Sequence, residues 1–424
     1  MKLIEEHFQR ERAGDKRARS AAAKDLEKFL IKTVDGSYTL RSEEIKGKSE
    51  TMHTFHGAME ESRQKFVEPS QIMEKLKENG EIRILDLCSG LGYNVAAVLE
   101  LLKENAGLRN DELGNNEIEN KKIKSNITID MVEISLEALA AALLTPSPTD
   151  AHEMVKTAVE DKLYSEGYVN FKFQKKKIPE NVDININYHE VRDFIKKISK
   201  FSDNEIDSCG IYDSKKIYDI VFLDPFSPQM APELYTVDFF KALRKVVKED
   251  GLLLTYTSAA PVRWALIEAS FYIGEGPSFG RKKGGTVASP TSLKILKELS
   301  PEDERMIALS DAGLPFRDPQ LNDSSSVITR RREDERGMAR GRYRFASTVK
   351  TPIFLEKELD DGRLRRRVLK NLQKLGFKDL KSDRSRYIVC PQYKVCICGC
   401  QCRDYDTSTE RIKEMTKRLY RLLK

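Results

Sequence analysis

The sequence has no apolar run long enough to cross a membrane and no apolar leader at its amino terminus. No segment approaches the roughly 20 apolar residues that a spanning helix needs. The first residues, M-K-L-I-E-E-H-F-Q-R-E-R, are too charged for a secretory signal peptide. Net charge is only +6 over 424 residues, so overall charge is weak support for nucleic-acid binding. We therefore expect a soluble, cytoplasmic protein.

The net positive charge is small, but basic residues form clusters in the last quarter of the chain. Basic clusters with Tyr343 and Phe345 interleaved comprise Arg330, Arg331, Arg332, Arg336, Arg340, Arg342, Arg344 and the run 363–367. Such clusters are typical of surfaces that hold nucleic-acid phosphates. The alternative is a solvated face on which neighbouring acids, Glu333, Asp334 and Glu335, compensate the charge.

The familiar C-x-x-C pair is absent, although five of the seven cysteines fall close together near the end. They are Cys390, Cys396, Cys398, Cys400 and Cys402. In a reducing compartment such a group indicates zinc or an iron–sulfur cluster before it indicates disulfides. Alternate cysteines on a strand would face one side, and Gly399 would break that strand and gather them. A buried cysteine-rich strand and redox-exposed thiols are the alternatives.

One apolar run ends abruptly in an acid between residues 218 and 228, which read Y-D-I-V-F-L-D-P-F-S-P. The pattern predicts a buried central strand of a parallel sheet that delivers Asp224 to a rigid corner. Ligands of such sheets bind beyond the carboxyl ends of the strands. Asp224 is therefore a candidate catalytic residue. A helix cap or a turn is the alternative role for its carboxylate.

A second strand, from Ile82, enters a loop built around Gly90 and Gly92 and is followed by a helix. Strand, glycine turn and helix together predict the first unit of a nucleotide-binding α/β fold. The third glycine of G-x-G-x-x-G is missing, because Val95 occupies its position. The sequence therefore disfavours a pyrophosphate ligand.

Acids also follow the next two predicted strands. Glu133 ends the strand from Ile127 and is a candidate acceptor for two ribose hydroxyls, with a helix-start charge as its alternative role. Glu190 follows a third strand and could read an adenine amine. His189 is more typical of a packed or surface histidine than of a base. Alternating strands and helices predict an α/β fold with an open parallel sheet.

Several segments of the sequence resemble the Rossmann-like S-adenosylmethionine-dependent methyltransferases, and within them the methyltransferase half of the bacterial tRNA-modifying enzyme MnmC. The resemblance spans about residues 30 to 325. Its segments are T-V-D-G-S-Y-T-L (33–40), H-G-A-M-E-E-S-R (56–63), L-D-P-F-S-P-Q-M-A-P-E-L-Y-T (223–236), T-Y-T-S-A-A-P-V-R (255–263), F-G-R-K-K (279–283) and L-P-F-R-D-P (314–319). No second G-x-G-x-x-G follows Pro290, so we do not expect the fused flavin-dependent oxidase in this sequence.

The resemblance implies methylation of the exocyclic amine of 5-aminomethyl-2-thiouridine at the wobble position of tRNA. It implies S-adenosylmethionine as cofactor and tRNA as partner. The cofactor residues would be Asp86, Gly90, Gly92, Glu133, Glu190 and Asp224. The residues around the substrate would be Asp224, as the catalytic group beside the amine, with Pro225, Phe226, Arg263, Arg281 and Lys282. Phe226 could stack on the uracil face, and core packing is its alternative role.

Asp224 suits this chemistry because methyl transfer from a sulfonium places positive charge on the attacking nitrogen. Other readings stay open. One is a different amine methyltransferase or an aminopropyl-transferring enzyme with the same sheet, and another is an inactive tRNA- or metal-binding adaptor. We expect three regions: a helix and hairpin extension at 1–75, the methyltransferase domain at 76–325, and a basic, cysteine-rich α+β extension at 326–424.

Overall fold

The computed structural model describes residues 2–41, 50–111, 126–201, 217–280, 283–349, 362–400 and 404–424. The chain divides into two compact units. The first unit comprises Met1–Phe226, Val246–Tyr256 and Gly276–Gly285. The second unit comprises Ser227–Lys245, Thr257–Glu275 and Thr286–Lys424. Among the helices that the structure describes, none is both long and apolar enough to span a bilayer.

The first unit is built around a parallel sheet, preceded by a short hairpin. The hairpin strands are β1 (Ile31–Lys32) and β2 (Tyr38–Thr39), and the sheet strands are β3 (Glu81–Leu87), β4 (Asn126–Glu133), β5 (Val182–Tyr188), β6 (Tyr218–Leu223) and β7 (Val247–Thr255). The sheet strands stand in the order β5-β4-β3-β6-β7 and pair in parallel. Every residue of β6 is buried, as its continuous apolar sequence predicts.

The strand order reverses direction at the neighbouring pair β3 and β6. Chain connections run from β3 outward to β4 and β5, and then return to β6 on the other side of β3. The loops that leave β3 and β6 therefore diverge and open a crevice at the carboxyl edge of the sheet. The register pairs Leu87 with Leu223, so the chain segments after these residues begin side by side.

Helices cover this sheet and form the amino-terminal region. They are α1 (Lys2–Arg12), α2 (Ala18–Glu27), α3 (Ala58–Ser62), α4 (Ile72–Asn79), α5 (Tyr93–Asp111), α6 (Leu136–Leu144), α7 (Asp150–Ser165) and α8 (Val191–Phe201). Arg19 of α2 is buried between Glu11 of α1 and Glu160 of α7 and bonds to both carboxylates. The amino-terminal helices are thus tied to a helix of the sheet unit by an ion-pair network.

The second unit contains most of the carboxyl-terminal half of the chain. Its elements are α9 (Val237–Val246), α10 (Ala260–Glu268), the antiparallel strands β8 (Tyr272–Glu275) and β9 (Thr286–Ser289), α11 (Pro301–Leu309), α12 (Ser325–Ala339), α13 (Gly362–Lys374), α14 (Asp383–Val389) and α15 (Ser408–Leu423). The Thr409 hydroxyl of α15 accepts a hydrogen bond from the backbone N–H of Ile273, and Thr416 donates to the carbonyl of Ala308. These contacts join the final helix to β8 and α11.

The expected α/β fold class with a Rossmann-like sheet is confirmed. In residues 362–400 and 404–424, the carboxyl-terminal extension contains helices and no strand, so the strands of the expected α+β extension are not found among these described residues. The sequence predicts helices at 364–375 and 408–423, and helices α13 and α15 begin and end within two residues of these bounds. The division at residues 75 and 325 stays a prediction, and the two units are cut at other points of the chain.

Candidate active site

The loop after β3 is shaped by three residues in the left-handed backbone region. They are Cys88 (φ +63°), Gly90 (φ +51°) and Gly92 (φ +83°). A Cβ on Gly92 would lie 2.8 Å from Val155 Cγ1 of α7, so a side chain there would collide with the helix. A Cβ on Gly90 would meet no atom closer than 3.8 Å. The backbone at Gly90 is therefore open to close approach by a ligand.

Glu133 holds this loop from the end of the neighbouring strand. Its buried carboxylate accepts hydrogen bonds from the backbone N–H of Gly90 (3.1 Å) and from its own neighbour Ile134 (2.9 Å). Burial raises the pKa of Glu133 above its usual range, and these backbone hydrogen bonds oppose the rise. The arrangement places an acceptor for hydroxyl groups directly beside the glycine turn.

Asp224 lies one residue beyond β6, beside the end of β3. Its backbone N–H donates to the carbonyl of Leu87 (3.3 Å). The Asn94 amide, in the first turn of α5, donates both to Asp86 Oδ1 (3.2 Å) and to Asp224 Oδ2 (3.3 Å). One amide therefore bridges two carboxyl groups that the strands β3 and β6 deliver.

The two carboxyl groups have raised pKa values for related reasons. Asp86 is fully buried, which raises its pKa to about 7 against the opposing hydrogen bond from Asn94. Asp224 keeps partial solvent exposure, and its surroundings raise its pKa well above the ordinary value. Burial is the first cause, the charge of Glu61 the second and that of Asp86 the third, whereas Asn94 and Lys65 lower it. The crevice thus concentrates negative charge in a poorly solvated place.

The sequence alone indicated no role for the charged and titratable residues that the amino-terminal region places near Asp224. Buried Lys65 donates to Glu61 Oε1 (2.5 Å), and Glu61 Oε2 accepts from the backbone of Thr54 (2.7 Å). His53 Nδ1 lies 3.9 Å from the same carboxylate, and burial lowers the pKa of this histidine. Lys65 belongs to a π-helical turn at Arg63–Val67, a form that is frequent at functional sites. The conspicuous signal was H-G-A-M-E-E-S-R, which contains Glu61.

Three buried polar atoms in the crevice have no hydrogen-bond partner in the described part of the chain. They are Asp86 Oδ2, Asn94 Oδ1 and Ser89 Oγ, all buried. Because buried polar groups in folded proteins are almost always paired, such atoms point to a ligand that pairs with them. The groups that line the crevice are two carboxyl groups, one amide and an open glycine backbone. It fits a ligand with a cationic end and hydroxyl groups.

The remaining predicted site residues have mixed surroundings. Glu190 accepts from the backbone N–H of Asp193 (3.0 Å) and from Arg192 Nε (3.1 Å), which makes it the cap of α8. Its role at adenine stays a prediction. Pro225 is buried and Phe226 is half-buried, both directly after Asp224. Arg281 and Lys282 lie outside the described residues.

Arg263 needs a correction. It was expected at the substrate, but its guanidinium is 1% exposed and donates to Asp303 (3.0 Å) and to Thr286 (3.1 Å) within the second unit. A buried arginine with internal partners stabilises its own unit. We therefore remove Arg263 from the set of substrate residues.

The arginines of α12, expected as a phosphate surface, are largely engaged inside the second unit. Arg336 and Arg340 both donate to buried Asp311, and Arg332 donates to the carbonyls of Leu314 and Ala312. Arg344, beyond the helix, is 1% exposed. By contrast, Arg365, Arg366, Arg367 and Lys370 of α13 are exposed, while Val368 and Leu372 of the same helix are buried. A basic exposed face therefore exists on α13.

Four cysteines of the tail come together in the second unit. The Sγ atoms of Cys390, Cys396, Cys398 and Cys400 all lie within 4.8 Å of one another. Cys402 lies outside the described residues. The segment is not the expected strand: Cys390 to Gln392 form a 3₁₀ turn, and bends follow as far as Cys400.

Comparison with known proteins relates the chain to methyltransferases. Residues 151–291 match a family of S-adenosyl-L-methionine-dependent methyltransferases. An uncharacterized protein of Methanocaldococcus jannaschii is 33% identical over 358 residues, which cover 84% of each chain. The solved structure of MnmC2 from Aquifex aeolicus aligns with a TM-score of 0.51 and 28% identity, covering 73% of this chain and 85% of that chain.

Shorter matches extend this relation to bifunctional proteins. The tRNA 5-methylaminomethyl-2-thiouridine biosynthesis bifunctional protein MnmC of Ralstonia nicotianae is 42% identical over 71 residues. The same protein of Vibrio vulnificus strain YJ016 is 38% identical over 72 residues. These segments cover 17% of this chain and 11% of either relative. The class is therefore that of the S-adenosylmethionine-dependent methyltransferases. Within it, the chain is similar to MnmC2 and to the matching segments of the bifunctional MnmC proteins.

Proposed function

We propose that this protein methylates the primary amine of 5-aminomethyl-2-thiouridine at the wobble position of tRNA, with S-adenosylmethionine as methyl donor. The position of Asp224 is the main support. It follows a buried strand at the switch point of the sheet, shares the amide of Asn94 with Asp86, and lies within the field of Glu61. Such a place favours positive charge that develops during a reaction.

The residues of the crevice fit S-adenosylmethionine, which supplies a methyl group bonded to positively charged sulfur. The open backbone at Gly90 would lie along the methionine and ribose, with Gly92 keeping the turn against α7. Glu133 would accept hydrogen bonds from the ribose hydroxyls. Asp86 Oδ2, which is buried without a partner in the described chain, would accept from the methionine ammonium. The adenine side is assigned to Glu190.

Asp224 would act on the nitrogen of the substrate. An alkyl amine holds a proton at neutral pH, with a pKa of about 10 for a lysine side chain, and must release it before its lone pair can attack. A carboxylate with a raised pKa is a better proton acceptor than an ordinary aspartate. Asp224 would pass this proton on to water, and its ionised carboxylate would then orient the nitrogen through a hydrogen bond and stabilise the positive charge as the nitrogen–carbon bond forms. The carbon–sulfur electron pair leaves with the sulfur.

Glu61 and Lys65 would set the strength of this acceptor. Their charges oppose each other at 2.5 Å, so the pair adds little net charge to the crevice. Because Glu61 raises the pKa of Asp224 and Lys65 lowers it, a change in either residue shifts the protonation of Asp224. We assign Glu61 and Lys65 as positioning residues rather than as groups that touch the substrate.

The experiment is nucleoside mass spectrometry. Purified protein is incubated with S-adenosylmethionine and with tRNA that contains the aminomethyl wobble uridine. We expect that nucleoside to gain one methyl group. The matched control is the same tRNA without the aminomethyl group, which should gain none. If S-adenosylmethionine binds but the nucleoside stays unmethylated, the proposed substrate is wrong. Methylation or aminopropylation of free amines would then define another substrate, and tRNA binding without any turnover would indicate an adaptor.

A further inference from the structure

We propose that Cys390, Cys396, Cys398 and Cys400 bind a single zinc ion as four thiolates. This site belongs to the second unit and has no part in the methyl transfer proposed above. Nothing in the chemistry at Asp224 uses these residues. The proposal starts from their side-chain geometry, since four sulfur atoms from one short segment share a space little larger than one ion.

Three of the distances between the sulfur atoms match the edges of a tetrahedron around one ion. Zinc binds thiolate sulfur at about 2.3 Å, so the edges of a regular ZnS₄ tetrahedron measure about 3.8 Å. The Sγ atom of Cys396 lies 3.7 Å from that of Cys390, 3.9 Å from that of Cys398 and 3.9 Å from that of Cys400. The Cys398–Cys400 distance is shorter, at 2.9 Å. A regular site requires these two sulfur atoms to separate by about 0.9 Å.

These distances also argue against the two alternative states of the cysteines. A disulfide requires a sulfur–sulfur bond of about 2.05 Å, and the described cysteines form none. An iron–sulfur cluster places several irons and sulfides between its thiolates, so its cysteine sulfurs stand farther apart than those around one ion. With all pairs within 4.8 Å, the cavity between the sulfurs fits one ion.

The backbone around the cysteines has features that suit thiolate ligands. Cys390 ends α14, and the N–H of Ile397 points at its Sγ atom at 3.4 Å. Gly399 has φ +73°, a left-handed conformation that turns the chain between Cys398 and Cys400. A cationic group lies alongside, because Arg418 Nη1 is 4.0 Å from Cys398 Sγ. Four thiolates around Zn²⁺ leave two negative charges, which N–H groups and a guanidinium stabilise.

A metal here would fasten the loop between α14 and α15. Arg418 of α15 already reaches the Tyr387 carbonyl of α14 at 2.8 Å, directly beside the cluster. The same final helix is bonded to β8 and α11 through Thr409 and Thr416. Zinc would therefore stabilise the helical end of the second unit, since binding to a site that forms only on folding adds to folding free energy.

The test is a metal analysis of the full chain, purified under reducing conditions without added metal. We expect about one zinc ion per chain by inductively coupled plasma mass spectrometry. The double variant Cys396→Ser/Cys398→Ser should lose the zinc. Cys209→Ser, at a cysteine outside the cluster sequence, is the matched control and should retain it. Less than about half an equivalent of zinc in wild type overturns the proposal.

A second measurement covers the case in which the double variant fails to fold. Metal-free wild-type protein is titrated with Co²⁺, which gives intense thiolate charge-transfer bands and tetrahedral d–d bands in an S₄ site. We expect saturation at about one equivalent, followed by loss of the bands when Zn²⁺ is added. No tetrahedral spectrum overturns the proposal. Iron together with inorganic sulfide in the purified protein would overturn the zinc proposal in favour of an iron–sulfur cluster. One iron per chain without sulfide would overturn it in favour of a mononuclear iron site.

Discussion

Two buried groups of charges, one in each unit, are matched in opposite ways. In the described part of the first unit, Asp86 and Asp224 share a single amide donor, that of Asn94. In the second unit, Asp311 accepts from Arg336, from Arg340 and from the backbone N–H of Ser347. Burial raises the pKa of Asp224 and Asp86. For Asp311 burial acts in the same direction, but the hydrogen bonds from Arg340 and Ser347 outweigh it and its pKa is lowered.

The difference separates a structural site from a ligand site. A buried carboxylate with enough donors of its own stabilises the fold, and nothing further needs to bind it. A pair of carboxyl groups with one donor remains costly until a cationic partner arrives. Sequence clusters of charge do not distinguish the two cases. The arginines of α12 form the denser cluster, yet they are paired, whereas Asp86 near the end of β3 and Asp224 after β6 are the acids available to a ligand.

The largest effect should come from Asp224→Asn. The variant keeps the shape of the side chain and removes the charge that faces the substrate nitrogen. We expect kcat to fall by about 10²–10³-fold, the usual range for losing one preorganised electrostatic group. Binding of S-adenosylmethionine, measured by calorimetry, should change little. Methylation of tRNA is followed by nucleoside mass spectrometry.

The control for this variant is Asp183→Asn, an exposed aspartate of β5. It should leave both kcat and cofactor binding as in wild type. Equal turnover by the Asp224 variant and the control would show that Asp224 does not act on the nitrogen. A collapse of cofactor binding in the Asp224 variant would instead move this residue into the cofactor site.

Asp311→Asn tests the other half of the comparison. It leaves Arg336 and Arg340 without their shared carboxylate in the second unit. We expect the free energy of unfolding to fall by about 2–3 kcal/mol, less than the roughly 3–5 kcal/mol typical of a fully buried pair, because Arg340 is half-exposed. Urea denaturation measures it. Asp334→Asn on the same helix is the exposed control. An unchanged urea midpoint would mean that the pairing contributes nothing.

The pH dependence of stability should distinguish Asp86 from ordinary aspartates. Its pKa is about 7 in the folded protein and near 3.8 when unfolded. Between these values the folded state holds more protons, so the Asp86 contribution to stability falls as the pH rises from about 4 to about 7. The free energy of unfolding of Asp86→Asn should therefore rise by about 1–2 kcal/mol relative to that of wild type across that pH range. The measurement is the free energy of unfolding of ligand-free protein as a function of pH. Parallel curves for wild type and Asp86→Asn would contradict the raised pKa. The control, Asp183→Asn, should parallel wild type.

Much of the sheet was predictable because its strands are continuous apolar runs with abrupt polar ends. The ends of β3, β4 and β6 were located from this pattern, and the structure places Asp224, Asp86 and Glu133 at the carboxyl edge. Parallel pairing explains why acids far apart in sequence meet there. The local signals, an apolar run and a glycine turn, were sufficient for this part of the site.

The other parts depended on packing between distant segments. Glu61 and Lys65 reach the crevice from a helix of the amino-terminal region, and no local pattern reports that placement. Arg263 looked like a substrate residue until its burial against Asp303 was seen. The bends that gather the four cysteines were anticipated only through Gly399, which has a positive φ. Long-range partners decide these roles, and a sequence does not display them.

The smallest effect concerns tRNA affinity. Arg365, Arg366 and Arg367 are the exposed counterparts of the paired arginines on α12. If they contact phosphates, Arg366→Glu/Arg367→Glu should weaken tRNA binding by about 3–10-fold and reduce the slope of log K against log salt by about 1–2. The exposed residue of α2 in Lys24→Glu is the control and should change neither value. Because phosphate contacts are independent of base identity, the loss should be the same for tRNA with and without the aminomethyl group. If both the affinity and the salt slope stay unchanged, α13 does not contact tRNA and its exposed basic face is only solvated.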